Sequence, residues 1–77
     1  SAENEIVRNT IFYKYVQKQR IIDKNISIVD CQVKFIKEYN AGFIILTPNT
    51  LVPTKINDMI DESIIDFQGN RFCKLRY

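Results

Sequence analysis

Residues 26–39 read Ile26-Ser27-Ile28-Val29-Asp30-Cys31-Gln32-Val33-Lys34-Phe35-Ile36-Lys37-Glu38-Tyr39, and the recurrence of their apolar positions decides the fold. Val29, Cys31, Val33 and Phe35 stand at period two, with Asp30, Gln32 and Lys34 between them. That alternation predicts a strand with one buried face. Asn40-Ala41-Gly42 follows, and a three-residue hairpin loop built on a type I turn wants glycine at its last, left-handed position, where Gly42 stands. The next run, Phe43-Ile44-Ile45-Leu46-Thr47, is apolar at nearly every position and rich in β-branched residues. It predicts a central strand covered on both faces, ended by Pro48.

Downstream, Ile56, Met59, Ile60 and Ile64 form the stripe of a short helix over 54–62, with Thr54 as its N-cap and Asn57, Asp58, Asp61 and Glu62 on its solvated side. From Ser63 to Tyr77 a second hairpin is expected around Gln68-Gly69-Asn70. A three-residue loop over 68–70 places Ile65, Phe67, Cys73, Leu75 and Tyr77 on one face, whereas a two-residue Gly69-Asn70 loop mixes polar and apolar residues on both. The first is therefore preferred. Residues 10–22 fit a strand through Ile11, Tyr13 and Tyr15. They also fit a helix on which Val7, Ile11, Phe12, Tyr15, Val16 and Ile22 cover about half the circumference, with Glu3 and Glu5 at its positive end. The four polar residues from Gln17 to Arg20 break strand alternation and favour the helix.

The expected fold class is α+β: a small antiparallel sheet of four to five strands from two hairpins, with the short helix at 54–62 and an N-terminal helix over one face. The alternative is a small OB-like β-barrel, which a strand at 10–22 would allow. No repeat, linker or low-complexity tract divides the chain, so residues 1–77 read as a single domain.

Composition narrows the function. Eleven basic and nine acidic residues give a net charge of +2, too small to predict a polyanion-binding surface from total charge alone. With no histidine, the commonest acid/base catalyst and metal ligand are both missing, so an enzyme is not expected and no cofactor is implied. No run of eighteen apolar residues occurs, so no membrane span is expected. The start Ser1-Ala2-Glu3 fits a cleaved precursor, removal of methionine before a small residue, or a trimmed chain. Thirteen isoleucines against two alanines and two glycines point to an AT-rich source such as a phage, a virus or a low-GC bacterium.

Cys31 and Cys73 both fall on core-facing strand positions in this reading, so a disulfide is geometrically allowed. Closing the loop from residue 31 to residue 73 would contribute on the order of 4 kcal/mol in the chain-entropy model. The other reading is two reduced, buried thiols acting as small hydrophobes. The pair sets the expected location, secreted or cell-envelope if bonded and cytoplasmic otherwise. Two cysteines alone cannot complete a zinc site, and no C-x-x-C redox motif is present. Asp58, Asp61, Glu62 and Asp66 lack the spacing of a calcium loop and read as a solvated face. Asn25-Ile26-Ser27 is a glycosylation triplet, relevant only in a eukaryotic secretory route.

Basic and aromatic residues interleave twice. Tyr13, Lys14, Tyr15, Lys18 and Arg20 form one group, and Arg71, Phe72, Lys74, Arg76 and Tyr77 the other. These ten are the candidate contacts to a partner or to nucleic acid, with rings to stack on bases and cations to follow phosphates. The favoured function is a non-enzymatic protein–protein interaction module, an assembly subunit or small inhibitor whose partner is another chain, of the same or a different kind. The alternative is a single-stranded nucleic-acid-binding domain using the basic and aromatic segments.

Overall fold

Within the stretch at 26–39, Ile28–Glu38 is a helix. The computed structural model describes residues 11–77, in the order α1 (Ile11–Ile22), α2 (Ile28–Glu38), β1 (Phe43–Leu46), α3 (Thr54–Asn57), β2 (Ile60–Ile65) and β3 (Arg71–Leu75). Glu3, Glu5 and Val7, expected on the N-terminal helix, lie outside the described residues. The class is α+β, as expected. Instead of four or five strands, the described residues form an open three-stranded antiparallel sheet of order β1-β3-β2, whose free edges leave no barrel.

Local chemistry explains why α2 is not a strand. Ser27 caps it, its hydroxyl oxygen accepting from the Asp30 amide at 3.0 Å, and Asp30 places a carboxylate in the positively polarised first turn. At the other end Asn40 takes a left-handed φ of 51°. The Ala41 amide donates to the Ile36 carbonyl at 3.0 Å and the Asn40 amide to that of Lys37 at 3.2 Å, the paired bonds of a Schellman ending. The turn at 40–42 thus stops a helix rather than joining two strands, and Asn40, not Gly42, holds the left-handed position.

The misleading alternation has a physical origin. Two residues along a helix is a turn of about 200°, so apolar positions at period two fall on nearly opposite sides. A helix packed on both sides needs that pattern. Val33 and Ile36 face a core with Ile56, Met59 and Leu75, while Cys31 packs with Val16 and Ile26, and Phe35 meets Phe12 and Tyr15 edge-on at 5.5 and 5.3 Å. Helix α2 therefore lies between α1 and the sheet. Cys31 and Cys73 are both fully buried, but one is on this helix and the other on the central strand, and no disulfide joins them. The strand layer they were expected to share does not exist. On α1, Tyr15 and Val16 are buried as expected, whereas Ile11 and Ile22 are exposed.

The expected helix at 54–62 shrinks to one turn, and Pro53 rather than Thr54 occupies its N-cap. Ile56 and Met59 still reach the core, but Ile60 begins a strand, because β3 gains a second hydrogen-bonded neighbour only if 60–65 extend beside it. An irregularity between Ile60 and Glu62 leaves Ile60 opposite Leu75 and Glu62 opposite Lys74. The hairpin loop is one residue earlier than expected. The Asp66 amide donates to the Asn70 carbonyl at 2.9 Å, so Phe67-Gln68-Gly69 form the turn, with Gly69 at φ 88°. Both placements keep the same residue parity, so Cys73 and Leu75 face inward as expected, while Ile65 and Phe67 at the tip are exposed and Tyr77 is half-exposed.

Candidate functional site

Because β-strand side chains alternate, burying Cys73 and Leu75 forces Phe72 and Lys74 to the other face of β3. The ladder carries that choice to both neighbours. Ile45 and Ile64 lie opposite Phe72 on either side, and Phe43 and Glu62 lie opposite Lys74. The outer face therefore presents two rows, Ile45-Phe72-Ile64 and Phe43-Lys74-Glu62. Phe43 is 72% exposed, Ile45 63%, Ile64 74% and Phe72 45%. At ~200 Å² for each large side chain in full, these four offer on the order of 500 Å² of apolar surface in one patch, the size at which such patches on small proteins are often functional.

Cross-strand pairs such as Ile45–Phe72 stabilise a sheet by roughly 0.2–1 kcal/mol each, and threonine or valine would supply much of that with less apolar exposure. A shallow depression of about 160 Å³ lies between Phe43, Phe72 and Lys74 on one side and Glu62 and Ile64 on the other. Lys74 and Glu62 face across the ladder without forming an ion pair; among the described residues Lys55–Asp30, at 2.6 Å, is the ion pair. That pair ties α3 to α2 at the surface, and Lys55, with the Ser27 hydroxyl, holds the Asp30 carboxyl below its ordinary value.

The ten residues singled out from sequence do not gather on one surface. Tyr15 is buried in an aromatic cluster with Phe12, Phe35 and Tyr39. Its hydroxyl meets no partner in good hydrogen-bond geometry, and burial, then the nearby Glu38 carboxylate, push it up to about 12. Lys14 and Lys18, one turn apart on α1, line an open cleft of about 300 Å³ with Tyr39 and Glu38. Tyr13 is half-buried and Arg20 exposed on the same helix. Phe72 and Lys74 lie on the far side of the sheet, beyond α2. Arg71 faces inward and donates to the Ser63 hydroxyl at 3.4 Å, while Arg76 is exposed beyond the end of β3. The Tyr77 hydroxyl donates to the Ala41 carbonyl at 3.0 Å, with the Ile36 carbonyl also within reach at 3.3 Å, which ties Tyr77 to the end of α2.

Sequence reasoning named Phe72 and Lys74 but missed Phe43, Ile45, Ile64 and Glu62. The available signal was the run Phe43-Ile44-Ile45-Leu46, apolar on both faces, of which the described residues cover only the inner one. Among the described residues no group of three cysteines and carboxylates gathers to hold a metal ion, and no helix is long and apolar enough to cross a membrane. No family model, curated protein or solved structure matches the chain.

Proposed function

We propose that the protein is a non-enzymatic protein–protein interaction module that docks through the outer face of its sheet. The observation that carries this reading is the in-register row Ile45-Phe72-Ile64 with Phe43 beside it, large apolar side chains left open to solvent on a sheet whose other face is packed. Exposing such a face favours association, because each square ångström removed from water contributes roughly 25 cal/mol before the costs of docking. Lys74 and Glu62 give it a polar margin that sets orientation. An assembly subunit and a small inhibitor both fit this description.

A photoreactive phenylalanine at position 45 tests it, irradiated in the purified protein and in extract of the source cells. Cross-linking to another polypeptide is expected there and not from position 24, in the exposed α1–α2 turn. Adding Phe72→Glu should abolish it. Equal yields from both positions, or cross-links confined within the chain, refute the reading.

Binding of single-stranded nucleic acid is a second reading, favoured by Lys14 and Lys18, which line the α1–α2 cleft together with the exposed Tyr39. It requires affinity for a short oligothymidylate that falls steeply with added salt. A flat titration at low salt removes it.

A further inference from the structure

We infer that the occupant of the outer sheet face is a second copy of this chain, packed sheet to sheet about a two-fold axis that runs parallel to the strands between β2 and β3. The inference rests on reading that face as a docking surface and adds the identity of the partner. Charge selects the symmetry. A two-fold centred on β3 would set Lys74 against the partner's Lys74, a like-charge contact at the centre of the interface. A two-fold perpendicular to the strands, passing through the level of Cys73, would set Lys74 on the partner's Phe72 and Glu62 on the partner's Ile64, burying both charges without a partner.

Moving the parallel axis half a strand spacing toward β2 removes both faults. Lys74 then faces the partner's Glu62 and Glu62 the partner's Lys74, while Phe72 packs on the partner's Ile64 and the reverse. All four contacts follow from the observed register, in which Glu62 stands opposite Lys74 and Ile64 opposite Phe72. Neither charge has an ion-pair partner within the described residues of its own chain, so both are available for this use. The contact is isologous and closed, as a dimer interface must be, and a net charge of +2 per copy opposes it little. Phe43 and Ile45 flank it along one side. Phe72 and Ile64, the apolar residues that face the second copy directly, supply about 240 Å² from each copy at ~200 Å² per full side chain, so the interface falls well below the 1,200–2,000 Å² total of stable complexes and the dimer is a weak one that forms at high micromolar or higher concentration.

Sedimentation equilibrium of the purified full chain, from about 5 μM to about 1 mM, tests this, with circular dichroism as the check that each variant folds. The wild type should rise toward twice the monomer mass. Glu62→Lys and Lys74→Glu each place like charges at both symmetric contacts and should weaken association at least tenfold. The double variant Glu62→Lys/Lys74→Glu restores opposite charges at both and should return to within about threefold of wild type. A monomer throughout the range overturns the inference, as does a dimer indifferent to the single reversals, or one that the double reversal fails to restore. If the protein is monomeric while position 45 still cross-links to a different polypeptide, the docking face stands and the second copy is excluded.

Discussion

Alanine at Gly69, set beside alanine at Gly42, separates the two turns that the sequence treats alike. Gly69 sits at φ 88°, where a Cβ costs an L-residue roughly 1–2 kcal/mol. Its new methyl group would stand 3.2 Å from Cγ of Pro48 and 3.5 Å from its Cβ. Pro48 has little room to yield. The turn carrying it is closed by the Thr50 amide on the Thr47 carbonyl at 3.3 Å and by the two threonine hydroxyls at 2.8 Å from each other, and Asn49 already holds φ 64°. Adding this crowding to the backbone cost gives a loss of about 1.5–3 kcal/mol, large against the roughly 4–12 kcal/mol typical of domains this size. At about 4–8 °C per kcal/mol, Tm should fall by at least ~6 °C. A methyl group at Gly42 would meet no heavy atom within 4 Å, and the backbone there has no left-handed φ. Alanine at this position should be neutral or stabilise by up to ~1 kcal/mol, because it narrows the unfolded ensemble. Urea unfolding followed by far-ultraviolet dichroism measures both. A loss at Gly42 equal to or larger than that at Gly69 would put the left-handed turn residue at 42, which is what a hairpin over 40–42 requires, and the helical assignment of 28–38 would fall with it.

Ser27→Ala removes the cap of α2 and should cost about 1 kcal/mol in the same assay, largely recovered by Ser27→Asp, which keeps an acceptor for the Asp30 amide. Asp66 accepts from the Gln68 amide at 2.8 Å and from the Asn70 amide at 2.9 Å. Burial opposes its charge, but the hydrogen bonds from Asn70, Gln68 and Gly69 outweigh that and hold its carboxyl below the ordinary value. A depressed folded-state pKa contributes stability that is present above about pH 4 and lost as pH falls through the folded value, so wild type should lose more stability on acidification than Asp66→Ala. Tyr15→Phe deletes a buried hydroxyl that makes no well-formed bond and should leave stability unchanged or raised; a loss above ~1 kcal/mol would show that the hydroxyl has a partner. Because both thiols are fully buried and unbonded, native protein should react with a thiol reagent only as fast as it unfolds, and its non-reducing mass should match its reduced mass.

Where one local rule had no competitor, the sequence was readable. Pro48 stops β1, Gly69 marks the hairpin, and alternation puts Cys73 and Leu75 inside. The error lay where one pattern serves two structures. Val29, Cys31, Val33 and Phe35 alternate as in a strand, but their 200° steps also suit a helix buried on both sides. Ser27 and Asp30 at cap spacing were the local signs favouring the helix, and Asn40 was the residue able to end it. At Ile60 local pattern lost to tertiary pairing, since the stripe Ile56-Met59-Ile60-Ile64 continues helically in sequence while β3 needs a neighbour in space. The candidate face was half legible. Phe72 and Lys74 were singled out for their chemistry, but the row they belong to exists only once the register brings three strands together.

The composition of β3 supports the proposal that this face serves as a docking surface. A strand optimised only for a monomer places its bulkiest apolar side chain toward the core and a polar residue toward water. Here Cys73, a small side chain, occupies the fully buried position, while Phe72 next to it is half-exposed. The edge strand β1 repeats the inversion, with Ile44 and Leu46 partly buried inside and Phe43 and Ile45 open outside. Substituting threonine on the outer face would preserve β propensity and reduce the apolar exposure that promotes aggregation. Retaining phenylalanine and isoleucine in register on all three strands stabilises the isolated domain little more than threonine would. It contributes substantially only when a second surface removes those side chains from water, and so the same residues that make the monomer sticky are the ones whose burial would stabilise a complex.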